Sequence, residues 1–470
     1  MAEIGMTQLA FTGNCYLEHR VSVHRKKDGF LKLVELLRNA DLSFTNMECG
    51  IQDGEDYPAF GAGMGWAGTY MGAPPRMVEE LKFMGIDAVY AANNHSADFA
   101  EPGILTTIKY LKRGGMDYAG IGASLTEASM PTYLETENAR VALIAAADWG
   151  PRQQMELSFP WPAGYMPSDE LPPYKSRPGV NLLRYDAAVH VDRQAFDEIR
   201  RVSRELQWEK GKKVRFQGAS RTEPLIGSTL RGWEKDTDTE FFFMGRKFVL
   251  GDKFRMSTFA FQEDLDRIYK HVREARRHAD IVVVALHDQA HGTGIHDYID
   301  TVAHGAIDAG ADVYINHGGL QRGIEIYKGK AILYGQPPLY LQNNEVTQLP
   351  ASMKLRMGLA MDSTAGELLE EREKNKSRAT SGGIQLNAFS GIGSAVHTAV
   401  FGEKAQLKEV RIHPTEEYVI DGRRPRLSVP RLAVAGSEKF NQVIERARER
   451  SKQFGTVIEI RDGMGVVRVN

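Results

Sequence analysis

Two cysteines, Cys15 and Cys49, are all that this chain of 470 residues contains. That scarcity excludes a disulfide scaffold and a cysteine-rich zinc module. Each cysteine follows a polar residue, Asn14 or Glu48, at the end of a predicted strand. A catalytic thiol therefore competes with the plainer reading of a small side chain in a reducing compartment. An excess of charge is also missing, since 59 Lys and Arg face 61 Asp and Glu, a formal charge of -2. No global basic field is present to attract nucleic acid, and no nucleic-acid partner is expected. No apolar run approaches the roughly eighteen residues that a membrane helix needs. The opening MAEIGMTQLAFTG lacks the basic segment and long apolar core of a secretory signal. A cytoplasmic protein with no membrane partner is expected. Internal repeats, a Walker A loop and a dinucleotide fingerprint are absent as well.

What the chain does have is an alternation of short apolar runs with amphipathic segments. The most informative stretches are ADIVVVALHDQAHGTG at 279–294 and GADVYINHGGLQRGIE at 310–325. Each is a β-branched run too short for an ordinary helix and ends abruptly in His, Asp, Asn and Gly, the pattern of a buried strand that delivers polar groups at its carboxyl end. QLAFTGN at 8–14, LSFTNME at 42–48 and IDAVYAANNHSADF at 86–99 repeat it, and RVALIAAADW at 140–149 is a further strand. The spacing predicts helices over 30–41, 75–85, 102–115, 262–280 and 298–309. This rhythm argues for an α/β protein with sheet covered on both faces.

Residues 1–150 and 261–470 read as two halves of one domain, and 151–260, where the rhythm fails, as an insertion that is either a lid, a substrate-recognition segment or an ornament. The loop 49–74 carries seven glycines, too long and glycine-rich for a simple connector. A charged loop is expected over 363–383, then a strand-rich part, a helix at 437–454 and a hairpin turning on Asp462 and Gly463.

Asn14, Glu48, Asn94, His95, His287 and His317 all stand at predicted strand ends and would converge on one rim of one sheet. A lone His there is more often a structural hydrogen bonder, but six such residues favour a site. Carboxylate, carboxamide oxygen and imidazole suit a borderline divalent ion such as Zn, Mn, Fe or Co. Asn46 shares the side of its strand with Glu48. Trp66, like Tyr70, Trp149 and Trp161, either packs or walls an apolar substrate. Arg322 either holds a substrate carboxylate bidentately or makes a structural ion pair.

LAFTGNCYL, ADLSFTNMECGI, MGIDAVYAANNHSADFAEPGILTTIKYL, the strand to His287, DAGADVYINHGGLQRGIEIYKGKAILYG and the closing KEVRIHP and FGTVIEIRDGMGVVRV resemble the CapA family, named for capsular poly-γ-glutamate synthesis proteins. The resemblance implies a calcineurin-like metallophosphatase fold, layered sheets flanked by helices, with an inserted segment and a C-terminal strand-rich part. The family pattern implies two metals. Where it has Gly-Asp this chain has Gly13-Asn14, and where it has His-Pro-His this chain has His317-Gly318-Gly319. Both departures fall on ligands of one metal, while Glu48, Asn94, His287 and His317 keep the ligand types of the other. Charge and ligand count set affinity, so one divalent ion at most is expected, Zn, Mn or Fe, or none.

The resulting expectation is a hydrolase of an amide or related acyl bond in a small molecule or peptide. His95, which by the resemblance sits where the fold keeps its general acid, protonates the leaving group, with Glu48, Asp288 and His291 as further catalytic groups. Asn14, Asn46, Trp66 and Arg322 contact the substrate. A metal-free epimerase or lyase in the same pocket is the alternative. A two-metal phosphoesterase and a non-catalytic capsule factor rank below it. A homo-oligomer is left open.

Overall fold

The computed structural model describes residues 6–58, 70–149, 167–208, 236–244, 246–288, 294–318, 321–342, 354–355, 357–371, 374, 394–419 and 428–469. Two ten-stranded sheets form its body. In the first, Leu42–Met47 lies parallel between Thr7–Tyr16 and Ala88–Tyr90, and Ser394–Phe401 pairs antiparallel with Thr7–Tyr16. In the second, Arg140–Trp149, Ile281–His287, Val313–His317 and Lys330–Gln336 lie side by side in parallel, and Gly323–Tyr327 runs antiparallel at the edge.

The apolar runs of the second sheet are unbroken because both of its faces are covered. Val141, Leu143, Ile281, Val283, Val313 and Ile315 share one core with Leu9, Phe11 and Phe44 of the first sheet. The residues between them, Ala142, Ile144, Val282, Val284 and Tyr314, pack on Leu265, Ile268 and Val272 of helix Gln262–His278 and on Ile299, Val302 and Ala306 of helix Asp297–Ala309. Each such side chain contributes about 1.5–3 kcal/mol by leaving water. The period of two has a functional consequence. His287 and His317 continue the rows that face the first sheet, while Leu286 and Asn316 continue those that face the helices.

Helices Asp28–Arg38, Met77–Met84 and Ala100–Gly114 form where the periodicity puts them and bury their apolar faces. The segment read as an insertion contributes to the second sheet. Its strand Leu182–Val191 pairs parallel with Arg140–Trp149 and antiparallel with Arg255–Ala260. Charges within LLRYDAAVHV mask that strand in the sequence, and the structure tolerates Arg184 because Asp264 and Glu263 pair with it at 2.7 and 2.6 Å. Within the expected charged loop, residues 365–371 are helical. The last helix spans Glu438–Ser451, and Asp462 and Gly463 turn the final hairpin with φ of 51° and 73°. Among the described residues no helix is long and apolar enough to cross a membrane.

His397 is buried in the sheet beside Phe11, its register partner, with neither ring nitrogen hydrogen-bonded. Burial, helped by neighbouring His413, pushes its pKa down to about 3. The folded state thus refuses a proton that the unfolded chain accepts near 6.5, so this contribution to stability is intact above 6.5 and is lost as pH falls toward 3. At pH 5 the loss is about 2 kcal/mol for this group. Urea unfolding of His397→Leu at pH 7 and pH 5 should show a pH-dependent loss smaller by about that amount than in the unaltered chain. Equal losses would show that His397 is not what sensitises the fold to acid.

Candidate functional site

Register assembles the site. Asn14 and Asn46 are partners across the first sheet, Asn46 and Tyr90 are partners one strand on, and His287 pairs with His317 in the second. A row of rings ties the two sheets together. Phe11 stacks on Phe44 at 5.6 Å, Phe44 on Tyr90 at 6.2 Å, and Tyr90 on His317 at 5.2 Å.

Around these rings runs a ladder of carboxamides. Asn93 Nδ2 donates to Asn46 Oδ1 at 3.2 Å and to the Met47 carbonyl at 2.7 Å, and Asn46 Nδ2 donates to Asn14 Oδ1 at 2.9 Å. Asn14 in turn hydrogen-bonds the Glu48 carboxylate. Burial pushes Glu48 up to about 7, against the pull of His95 and of that Asn14 bond. His95 Nδ1 lies 2.7 Å from Asp98 Oδ2, and Asp98 also accepts the Met71 N–H at 2.7 Å. Burial alone would lower the His95 pKa, but the Asp98 and Glu48 carboxylates outweigh it and the net shift is upward. A carboxyl and an imidazole, both shifted upward from their ordinary values, thus sit together at the rim, and such perturbed pairs cluster at sites of acid/base chemistry.

The two imidazoles of the second sheet face each other, Nδ1 to Nδ1, at 3.2 Å. Asn46 Nδ2 lies 3.4 Å from His287 Nδ1, while Glu48 Oε1 stands 3.8 Å from Nε2 on the opposite edge of that ring. Burial drives His317 down to about 3, so its imidazole is neutral, the form that ligates a metal, and its Nε2 is buried without a hydrogen bond. Asn94 Oδ1 is likewise buried and unbonded. Gly318 has φ of +107°, and a Cβ there would meet the Asp288 carbonyl oxygen at 2.4 Å and His287 Cε1 at 2.9 Å, so only glycine lets the chain turn over the imidazole.

These observations test the fit of a metal. The facing Nδ1 atoms are spaced as two ligands are around one ion with bonds of about 2.0–2.1 Å, and the buried Asn94 Oδ1 has no hydrogen bond to give up. One ion therefore fits the donor chemistry of His287, His317 and Asn94. Glu48 reaches the other edge of the His287 ring and is placed better for proton transfer than for sharing that ion. A second ion at Asn14 does not fit, because its amide oxygen is spent on Asn46 and its amide nitrogen on Glu48. Among the described residues, the His, Cys, Asp and Glu side chains that converge within 4.8 Å of one another are not at this rim but are Asp300, His304 and Glu325.

Asp288 is not placed for catalysis nor Arg322 for a substrate carboxylate, and of the two readings of Arg322 the structural ion pair is the one the structure has. Both side chains are fully buried, and the guanidinium spans both carboxylate oxygens at 3.0 Å each. Asn316 also donates to Asp288. A carboxylate so engaged is a poor base, and a guanidinium with no exposure offers nothing to a substrate. This buried pair pins the turn that follows His287 to the segment that follows His317. His291, Trp66 and Gly319 lie outside the described residues. Tyr70 and Trp149 are buried. The thiol reading does not survive: both cysteines are buried, burial and the Glu48 charge push Cys15 up to about 12, and Cys49 is raised as well, mainly by burial.

Three residues that act here carried no role in the sequence reading. Asp98 stands three positions after His95, a spacing that brings a carboxylate back to an imidazole across one turn, and that spacing could have found it. Asn93 was visible at the strand end, but its use as a brace was not. Asn316 was visible among the polar residues at its strand end, but it lies on the helix-facing row and its bond to Asp288 had no signal in the sequence.

Among known proteins, two uncharacterized proteins of Sinorhizobium fredii, y4sH and y4uA, are each 29% identical over 450 residues, which is 94% of this chain and 88% of the relative. A crystal structure of a hypothetical protein from Thermus thermophilus aligns at 13% identity with a TM-score of 0.35, covering 91% of this chain and 99% of that one, a likeness too slight to speak to chemistry. The family model described as bacterial capsule synthesis protein PGA_cap matches residues 8–336, most of the chain and every strand end that builds the rim. On that match, and on the motifs that carry it, the chain belongs to the PGA_cap, or CapA, family of capsule synthesis proteins.

Proposed function

We propose that this chain hydrolyses an amide or related acyl bond of a small molecule or peptide, with His95 and Glu48 moving the protons and at most one divalent ion beside them. The observation that carries the reading is His95 fixed by Asp98 at 2.7 Å next to a buried Glu48. Asp98 on Nδ1 leaves Nε2 as the nitrogen that exchanges a proton with the substrate, so His95 is set to protonate a leaving amine. Glu48, steadied by Asn14 and lifted toward neutrality by burial, is set to take a proton from water. His287, His317 and Asn94 would hold the ion, which would polarise a carbonyl or acidify a bound water. Poly-γ-glutamate, after which the CapA family is named, is an amide-linked polymer, and this supports an amide over a phosphate ester. So does the carboxamide at Asn14, which disfavours the second ion of a two-metal phosphoesterase.

A metal-free epimerase or lyase is the second reading. It is favoured by the contacts of His287, whose Nδ1 meets His317 and Asn46 while its Nε2 faces Glu48. Elemental analysis of protein purified without added metal or chelator, joined to assays on amide, ester and phosphate-ester panels, separates the readings. A transition-metal content one equivalent higher than that of His287→Ala, with turnover on amides or esters, is the expected result. Two equivalents lost together in His287→Ala, with phosphatase turnover, would overturn the proposal, and a metal content unchanged by His287→Ala with activity indifferent to chelator would replace it with the second reading.

A further inference from the structure

On the face of the second sheet away from the rim, Asp300, His304, Glu325 and Tyr334 gather where helix Asp297–Ala309 crosses the edge strand Gly323–Tyr327. Register fixes the side. Glu325 pairs with Ile332, and Ile332 and Tyr334 belong to the core beneath the helices, whereas His287 and His317 face the other sheet. Asp300 and His304 are one helical turn apart and so share a face. His304 Nδ1 is 3.3 Å from Asp300 Oδ1, and His304 Nε2 is 3.1 Å from both oxygens of Glu325. The Tyr334 hydroxyl donates to Asp300 Oδ1 at 3.3 Å and to Glu325 Oε2 at 3.2 Å, drawing the two carboxylates toward each other.

The charge balance of this cluster is unusual. Glu325 keeps only 15% of its side-chain surface exposed, yet among the described residues the ion pairs of Asp300 and Glu325 are both with His304 and none is with Lys or Arg. Two carboxylates that share one imidazole and have no Lys or Arg partner among the described residues offer a bound cation ligands without displacing another cation. One ligand atom from each of Asp300, His304 and Glu325 can be chosen so that all lie within 4.8 Å of one another. Four-coordinate zinc holds its ligands about 3.3–3.5 Å apart. Asp300 faces Nδ1 and Glu325 faces Nε2, opposite edges of one ring, so an ion held on Nε2 with Glu325 draws the half-exposed Asp300 carboxylate around to that edge to complete a triad of one imidazole and two carboxylates. That mixed nitrogen and oxygen set selects a borderline transition ion over calcium or magnesium.

We propose that Asp300, His304 and Glu325 form a separate binding site for a zinc-class divalent cation, which staples the helix to the edge strand on the far side of the sheet from the rim. Its occupancy couples to activity only indirectly. The stapled helix begins shortly after the His287 turn, and the stapled strand begins just after Arg322.

The test uses the full chain bearing His287→Ala, so that binding at the rim does not intrude. Cobalt(II) alone serves as the optical probe and zinc alone as the thermal one. The expected result is one equivalent of cobalt with the visible absorption of a low-coordinate nitrogen and oxygen site, and a thermal midpoint raised by zinc. Both signals should vanish on adding Asp300→Asn or His304→Gln, while the metal-free midpoint of Asp300→Asn stays close to its parent because that side chain is half exposed. Glu325→Gln is kept as a third variant should His304→Gln not fold. Absence of the cobalt signal in His287→Ala would overturn the proposal and leave a bare imidazolium bridge between two carboxylates. So would its persistence in Asp300→Asn together with either other variant.

Discussion

Replacing Arg322 by leucine should cost the fold about 3–5 kcal/mol, the penalty of stranding one partner of a fully buried ion pair. The guanidinium meets both Asp288 oxygens at 3.0 Å, and neither side chain is exposed. Without it the Asp288 carboxylate keeps the Asn316 bond but loses its counter-charge. Urea unfolding measures the loss directly. The double variant Asp288→Asn with Arg322→Leu should recover much of it, since the neutral amide keeps an acceptor for Asn316 and strands no charge. A single variant as stable as the unaltered chain would mean that water or a neighbouring group already compensates Asp288. Because this pair anchors the backbone on both sides of the facing histidines, the single variant should also lose metal at the rim.

If the proposed hydrolysis holds, changing His95 to glutamine should lower turnover about 10²- to 10⁴-fold on the substrate that the assay panels identify, the usual share of a positioned acid. Glutamine keeps the size of the side chain and a hydrogen bond to Asp98 but cannot deliver a proton, so KM should move far less than kcat. The pH profile gives the sign. Glu48 acts as a base only when ionised, so kcat/KM should rise with pH through about 7, where burial has placed that carboxyl. Glu48→Gln should abolish that limb along with most of the activity. Asp98→Asn should leave binding intact and reduce kcat, because the imidazole loses the partner that fixes its tautomer. A His95→Gln enzyme with unchanged kcat would remove the proton-transfer role and leave His95 as a brace for the turn after Asn93.

Much of this was legible in the chain itself. IVVVALH and VYINH could only be buried parallel strands, since a run that is apolar at every position needs both faces covered, and their abrupt polar ends marked where chemistry would gather. The helices followed from periodicity for the same reason, as did the hairpin at Asp462 and Gly463. Strand Leu182–Val191 did not, because Arg184 is acceptable there only once Asp264, 80 residues away in sequence, comes to meet it.

The sequence by itself determined the α/β layering and the polar strand ends, which are properties of residue type and spacing, while the departures at Asn14 and past His317 from a second metal's ligands show only against the pattern of the family it resembles. Only the tertiary structure decided which of those groups work together. Asp288 reads as a catalytic candidate in one dimension and Arg322 as either a substrate contact or an ion-pair partner, and the fold pairs them with each other, because sequence distance does not reveal which partner an ion pair has. The Glu48 carboxyl is lifted to about 7 only by burial, and the His95 imidazole is held in place only when Asp98 folds back upon it. Burial and long-range partnership set those properties, and both come into being only when the two sheets close on one another.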